Sequence, residues 1–212
     1  MNASGTVIAL GTIARREVMR ILRIWSQTLL PPAITMTLYF IIFGKLIGSR
    51  VGKIAEASDG SPISYIEYIA PGLVMMSVIQ NAYGNISSSF FSAKFQRFVE
   101  EMLVSPMPGW SILAGYVAGA VMRGLMVGVI VLGISLFFSK IHLYHPFVTL
   151  STFLLAAVIF ALLGFINAIY ARKFDDIAII PTFILTPLTY LGGVFYNVTQ
   201  LPSPWKELSH AN

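Results

Sequence analysis

The feature that most constrains the fold is a series of five apolar runs, each at least about 20 residues long. A run of that length forms a helix that crosses the hydrocarbon core of a bilayer. The sequence therefore predicts transmembrane helices at residues 28–47, 66–89, 111–138, 147–170 and 177–196. Only 11% of the residues are charged, against about 25% in a soluble domain. We expect an all-α polytopic membrane protein with a single transmembrane domain over residues 1–212.

The N-terminal segment, residues 6–25, is basic and amphipathic. On a helix, its apolar residues fall on one face, and Arg16, Arg20 and Arg23 fall on another. This pattern predicts an interfacial helix against an anionic membrane surface. A signal peptide fits less well, because the next apolar run has full spanning length and no small-residue cleavage site follows. Nucleic-acid binding is disfavoured, since the arginines have helical spacing beside a membrane span.

The distribution of lysine and arginine predicts the orientation. These residues are more frequent in the N-terminal segment and in the second and fourth connections between the runs than in the remaining connections. Cytoplasmic segments carry the excess of positive charge, so the N-terminus is predicted to be cytoplasmic. Five spans would place Asn212 outside, and we therefore expect a sixth, C-terminal helix to be missing.

A short segment of mixed charge, Phe95 to Trp110, joins the second and third runs. It is too polar to cross a bilayer, and its charged residues alternate with apolar ones until the Ser105–Pro106 pair. The pattern predicts an amphipathic helix at residues 95–106 that lies at the membrane surface and presents its charged side to a soluble partner. The residues predicted to form this contact are Arg97, Glu100, Glu101, Met102, Leu103, Ser105 and Pro106.

Polar residues recur along the second and fifth runs. In a bilayer such a face turns inward, where it either bonds to neighbouring helices or lines a hydrated path. Both interpretations stay open here. Pro181 and Pro187 interrupt the fifth run, and a kinked polar helix is a candidate moving part. The candidate pathway residues on the two runs are Ser77, Asn81, Asn85, Thr182, Thr186 and Thr189.

The third run contains one cation and two glycine pairs. Arg123 lies near its middle, which is an expensive place for a charge. In one interpretation the guanidinium has a structural role, either by snorkelling or by bonding to asparagine and carbonyl groups. In the other, it forms a pathway site that binds an anionic group or acts as a gate. Gly115-x-x-x-Gly119 and Gly124-x-x-x-Gly128 allow close helix packing, which we predict within the subunit rather than between subunits.

Several kinds of chemistry find no support in the sequence. The chain has no cysteine, which excludes disulfides, iron–sulfur clusters and thiolate metal sites. His142 and His145 have no companion ligand that would complete a metal site. No G-x-S-x-G elbow and no G-x-x-x-x-G-K-[ST] loop is present. We therefore predict neither a catalytic site nor an ATPase site on this chain.

Two motifs and their order resemble the membrane subunit of type 2 ABC exporters. Glu101-Met-Leu-Val-Ser-Pro106 followed by Trp110 is similar to that family's coupling-helix signature, although Phe98-Val99-Glu100 stands where the family often has a Gly-Thr pair. Leu185 to Tyr196, followed by Leu201-Pro202, is similar to its fifth helix and outer exit.

The resemblance implies two permease copies with two copies of a separate cytoplasmic ATPase, in the cytoplasmic membrane. ATP and Mg²⁺ would bind the ATPase, and this chain would bind no cofactor. Glu100, Glu101, Met102 and Leu103 would fit a groove of the ATPase, and the second and fifth helices would face the substrate pathway. The family also has a sixth helix.

Two other classes of function are compatible with a polytopic chain. A membrane enzyme acting on lipid would need an acid–base set, and the compact charged group Arg172, Lys173, Asp175 and Asp176 is more simply a solvated turn. A membrane scaffold would use the glycine-rich faces. The substrate, and the choice between a homodimer and a heterodimer, stay open.

Overall fold

The computed structural model describes residues 3–48, 53–56, 62–139, 145–196, 198 and 202–210. These residues include two π-helical segments, Phe40–Ile47 and Pro181–Leu185. They also include a two-stranded antiparallel hairpin, β1 (Lys53–Glu56) and β2 (Pro62–Ser64). The helices are α1 (Ala3–Arg23), α2 (Trp25–Tyr39), α3 (Tyr65–Phe95), α4 (Phe98–Val104), α5 (Gly109–Phe138), α6 (Pro146–Tyr170), α7 (Asp176–Ile180), α8 (Thr186–Leu191) and α9 (Trp205–His210).

Three helices in the described part of the chain are long and apolar enough to cross a membrane, namely Trp25–Gly44, Gly109–Phe138 and Pro146–Tyr170. They overlap three of the five predicted spans. Helix α3 is roughly 45 Å long at 1.5 Å per residue, which exceeds the roughly 30 Å hydrocarbon core, but its serine and asparagine residues lower its hydropathy. The stretch Asp176–Leu191 is apolar but short. A total of five membrane-spanning helices therefore stays a prediction.

Helix α3 begins with a capping box directly after the hairpin. The Ser64 hydroxyl accepts a hydrogen bond from the Glu67 backbone N–H at 3.4 Å, and the Glu67 carboxylate accepts one from the Ser64 N–H at 3.0 Å. Reciprocal capping satisfies two N–H groups that the first helical turn would otherwise leave without partners. The cap gives the longest of the described helices a defined start.

Helix α3 lies at the centre of the subunit, with its largest contacts to α5 and α6, while α1 packs against α5. One apolar cluster surrounds the end of α3 near α4 and includes Ile86, Phe90 and Tyr116. A second cluster, with Phe40 and Ile69, surrounds the start of α3. The helix predicted to face the substrate pathway is thus largely enclosed by its own subunit.

The glycine pairs of α5 pack within the subunit, which confirms that prediction. A methyl group added at Gly119 would collide with the Cβ of Glu17 on α1. At Gly128, a methyl group would lie 2.6 Å from a methyl carbon of Val78 on α3. The first pair therefore brings α1 close to α5, and the second brings α3 close to α5.

The segment after α8 is tied back to the start of α3. The hydroxyls of Tyr65 and Tyr68 donate hydrogen bonds to the carbonyls of Phe195 at 2.9 Å and Tyr196 at 3.1 Å. The helix itself stops at Leu191, before Gly193 with its φ of 75°. The predicted fifth span, 177–196, therefore ends in non-helical backbone.

Candidate functional site

Helix α4 is a seven-residue helix that protrudes between two membrane-length helices. Arg97 precedes it in the left-handed region, with φ 64°, a conformation that costs a non-glycine residue about 1–2 kcal/mol. After the helix, Ser105 is extended, and its hydroxyl donates a hydrogen bond to the Met102 carbonyl at 2.6 Å. Pro106 follows. The chain therefore turns sharply on both sides of α4, which separates it from α3 and α5.

The two faces of α4 differ in chemistry. Val99 and Met102 pack against the apolar cluster at the end of α3. On the opposite face, the carboxylates of Glu100 and Glu101 are exposed. Leu103 lies one turn after Val99 on the apolar side and is 64% exposed. Within the described part of the chain, neither carboxylate has a hydrogen bond or an ion pair. The helix is thus anchored by one face and presents two acidic groups on the other.

Lys94 fixes the end of α3 to the end of α6 just before α4 begins. Its ammonium donates to the carbonyls of Ala171 at 2.9 Å, Ala168 at 3.5 Å and Ile169. A cation at this position satisfies carbonyls that the last helical turn leaves open, and it complements the helix dipole. Phe174, just past the same helix end, packs edge-on against Phe91 at 4.9 Å between ring centroids. The base of α4 is therefore held by two long helices.

A buried ion pair lies on the other side of this region, where α1 meets α3 and α5. Glu17 on α1 is only 2% exposed. One of its carboxylate oxygens accepts bonds from Arg20 at 2.9 Å and from the Ser89 hydroxyl on α3 at 2.6 Å. The other oxygen lies 3.5 Å from Arg16. A buried carboxylate is tolerated when its oxygens are paired in this way.

The network continues through Asn85, which lies between two arginines from different helices. Its side-chain oxygen accepts from Arg20 on α1 at 3.0 Å and from Arg123 on α5 at 3.4 Å. Arg16 donates to the Tyr116 hydroxyl on α5 at 2.6 Å. The structure therefore brings together two of the predicted pathway residues, Asn85 and Arg123, inside one subunit. Their contacts fit the structural interpretation of Arg123, and a pathway role for it stays a prediction.

The sequence analysis missed Glu17, although a signal was present. Ile13 and Ile21 are buried on α1, and Glu17 lies midway between them at the four-residue spacing of one helical face. An acid on the apolar stripe of a basic helix indicates a buried pair with neighbouring arginines. What the sequence alone did not provide is the position of Ser89 and Asn85 on α3.

The remaining predicted pathway residues mostly bond to their own helices. Ser77 is 1% exposed and donates to the Leu73 carbonyl at 2.8 Å. Asn81 donates to the Ser77 carbonyl at 3.0 Å. Thr186 and Thr189 donate to carbonyls in the preceding turn, and Thr182 is exposed. These contacts satisfy the hydroxyl and amide groups, and pathway lining stays a prediction for all of them.

A cleft of about 390 Å³ separates the middle of α3 from α8. Gly72, Met75 and Ile79 line it from α3, and Leu185 and Thr189 line it from the opposite side. Its walls are mainly apolar, with the Thr189 side chain as the polar group. This is the place where the two helices predicted to face the pathway approach each other.

The compact charged turn before the fifth predicted span has a structural role. The Asp176 carboxylate accepts hydrogen bonds from the backbone N–H groups of Arg172 at 2.8 Å and Lys173 at 3.0 Å. These two donors lower the pKa of Asp176. The carboxylate is engaged in closing the turn, as a solvated turn predicts.

Some sequence-based predictions concern residues beyond the described part of the chain. Among the described residues, no group of three or more potential metal ligands occurs. His142, Leu201 and Asn212 lie outside the described residues. One of the two neighbouring histidines, the leucine of the second motif and the chain end are therefore not described.

Comparison with known proteins places these features in a family context. Residues 8–212 match the family model described as ABC-2 type transporter. The chain is 56% identical over 205 residues to inner membrane transport permease YadH of Escherichia coli K12, covering 97% of this chain and 78% of that protein. It is 27% identical over 175 residues to nodulation protein J of Sinorhizobium fredii NGR234, covering 82% of this chain and 64% of that protein. No solved structure matches.

Proposed function

The chain belongs to the ABC-2 type transporter family, and from that premise we propose that it is the permease of an ABC exporter driven through α4. Membership of this family of transport permeases implies partnership with an ABC ATPase. The observation that carries the proposal is the geometry of α4, a short helix with one anchored face and two exposed, unpaired carboxylates.

Helix α4 is suited to transmit force because its base is rigid. Lys94 bridges the ends of α3 and α6, and Val99 and Met102 pack on the same apolar cluster. Movement of α4 therefore displaces two long helices together rather than bending a loop. In this scheme ATP and Mg²⁺ bind the separate ATPase, whose groove receives Glu100, Glu101, Met102 and Leu103.

We propose a location in the cytoplasmic (inner) membrane, with the N-terminus and α4 on the cytoplasmic side. Support comes from the inner-membrane name of the relative with 56% identity and from the excess of basic residues on that side. All five apolar runs span the bilayer in this arrangement. Of the three long apolar helices, Trp25–Gly44 is covered least, with 17% of its most apolar window buried in the subunit, which leaves surface for lipid and a second permease copy.

Cysteine labelling tests the orientation, because the chain has no native cysteine. Glu101→Cys should react with a membrane-impermeant maleimide only when the cytoplasmic face is accessible, and His145→Cys should react only from outside. Both residues are exposed. Labelling of Glu101→Cys from the outside would contradict the orientation and the coupling role together.

The pathway in this proposal runs between two permease copies, along the second and fifth helices. The cleft between α3 and α8 supports this assignment, as does the exposure of Thr182. Serine, asparagine and threonine side chains accept many substrates, so the chemistry of the cargo stays open.

Charge reversal at α4 tests the ATPase contact. We expect Glu101→Lys to weaken co-purification of the ATPase strongly, because the substitution reverses a charge at an exposed interface. Glu207→Lys is the matched control, since Glu207 is also exposed and lies on the predicted outer side. Membrane insertion of both variants should be normal. Normal ATPase association of Glu101→Lys would contradict the proposal.

A further inference from the structure

A cleft of about 670 Å³ opens between α1 and the end of α3, beside the first residue of α4. One acid, Glu17, lines it together with four arginines, so the formal net charge of the cleft is +3. Ser92 and Gln96 add polar groups from α3. The arginines are Arg15, Arg16, Arg20 and Arg23.

Two of the four arginines are not neutralised by Glu17. The oxygens of Glu17 accept from Arg16, Arg20 and Ser89, so the carboxylate is fully used within the network. Arg15 and Arg23 are exposed, and among the described residues neither has a hydrogen-bond or ion-pair partner. Guanidinium groups bind phosphate oxygens through paired, charge-assisted hydrogen bonds. The cleft therefore offers two unpaired donors for an oxyanion.

The same cleft has an apolar side. Met19 and Ile24 line it, and Met19 is 51% exposed. Exposed apolar residues continue beyond the cleft at Leu22 and Trp25. A ligand that satisfies both surfaces has an anionic head next to an apolar tail. A free anion would leave the apolar surface uncovered.

The depth of the cleft agrees with a lipid head group. Ser89, which bonds to Glu17, lies roughly 9 Å from the end of α3 at 1.5 Å per residue. The head-group layer of one leaflet is roughly 5–8 Å thick. In the orientation proposed above, with the end of α3 at the cytoplasmic membrane surface, a ligand at the level of Ser89 lies near the boundary between lipid phosphates and acyl chains.

We propose that this cleft binds the phosphate of one anionic phospholipid through Arg15 and Arg23, with the acyl chains along the exposed apolar side of α1. The inference is independent of ATPase coupling, since it concerns α1 and not the exposed face of α4. The bound lipid fills the gap between α1 and α3 next to the start of α4. Inorganic phosphate shares the head-group chemistry but lacks the acyl chains.

Native mass spectrometry of the full permease in detergent tests the proposal by titration with phosphatidylglycerol and with phosphatidylcholine. We expect one phosphatidylglycerol to be retained per chain, and we expect Arg15→Gln with Arg23→Gln to weaken that binding about tenfold or more. The matched control is Arg172→Gln with Lys173→Gln, which removes two exposed charges elsewhere and should leave the affinity unchanged. Arg15→Lys with Arg23→Lys retains the charge and should weaken binding less.

Several outcomes would overturn the lipid site. They are equal retention of phosphatidylcholine, unchanged binding in the glutamine variant, and an equal loss in the control. Complete displacement of phosphatidylglycerol by tens of millimolar inorganic phosphate would identify a free anion as the ligand instead. A glutamine variant that keeps the lipid but loses the ATPase would identify the cleft as a protein-docking surface.

Discussion

Helices α1 and α4 are both amphipathic and both lie beside the same end of α3, yet they use their charges in opposite ways. In α1 the acid points inward, with Glu17 2% exposed and bonded to two arginines and a serine. In α4 the acids point outward and only apolar side chains face the core. A charge satisfied within the subunit holds helices together, whereas an exposed and unpaired charge is available to a partner.

The same difference appears in how each helix is attached. Helix α1 packs along α5 at Gly119, where the absent side chain lets the two backbones approach. Helix α4 is attached by the turn at Arg97 and the Lys94 bridge before it, and by Val99 and Met102, which pack on the apolar cluster. We therefore expect substitutions in α1 to act mainly on stability, and substitutions in α4 to act mainly on coupling.

The largest stability effect is expected for Glu17→Gln. Removing one partner of a buried ion pair leaves the arginines uncompensated, which costs about 3–5 kcal/mol in a fully buried pair. Because the Arg20 side chain is 38% exposed, we expect about 2–3 kcal/mol here. Thermal unfolding in detergent should show a Tm lower by roughly 5–10 °C.

Glu100→Gln on α4 is the matched comparison for Glu17→Gln. Its carboxylate is exposed, so the Tm should stay nearly unchanged while ATPase association falls. An equal decrease in Tm for the two variants would contradict the distinction between the buried carboxylate of α1 and the exposed carboxylate of α4.

Lys94→Met is expected to lower stability less than Glu17→Gln does, and also to slow transport. Methionine keeps the apolar stem but loses the ammonium that donates to carbonyls at the end of α6. We expect a loss of about 1–2 kcal/mol, together with slower transport at normal ATPase association, because α4 then moves without carrying α6. ATPase activity and transport measured in the same vesicles separate these effects.

Two further substitutions serve as controls for Lys94→Met. Lys94→Arg keeps a cation at the helix end and should retain most of the coupling. Lys206→Met removes an exposed lysine from the tail and should change neither quantity. Transport of Lys94→Met at the rate of the unaltered protein would contradict the rigid-base mechanism.

The comparison of α1 with α4 also separates what the sequence could predict from what it could not. Helical periodicity and the Ser105–Pro106 stop predicted helices at 6–25 and 95–106, which overlap α1 and α4. These are local signals. The partners of Glu17 and Arg123 are not local, because Asn85 comes between Arg20 and Arg123 only after α1, α3 and α5 have packed.

The fifth predicted span illustrates a different limit. Hydropathy continues through Val194 and Phe195, but the helix stops at Leu191 because the Gly192–Gly193 pair allows the chain to turn. The aromatic residues beyond it then bond and pack against the start of α3. A hydropathy window does not distinguish an apolar residue in a spanning helix from one packed in a turn.

A stability effect smaller than that of Lys94→Met is expected at Arg97, where the turn and the ATPase contact can be separated. Glycine and asparagine accept the left-handed conformation more readily than arginine, so Arg97→Gly and Arg97→Asn should keep the turn and change stability by no more than about 0.5–1 kcal/mol. Both lack the guanidinium that we predict to contact the ATPase. A loss of ATPase association in both, at unchanged Tm, would make Arg97 a contact residue. Normal ATPase association in both variants would show that the guanidinium makes no contact with the ATPase, because the two substitutions share the loss of that group. The contact would then be limited to the carboxylate face of α4, and Arg97 would be a turn residue.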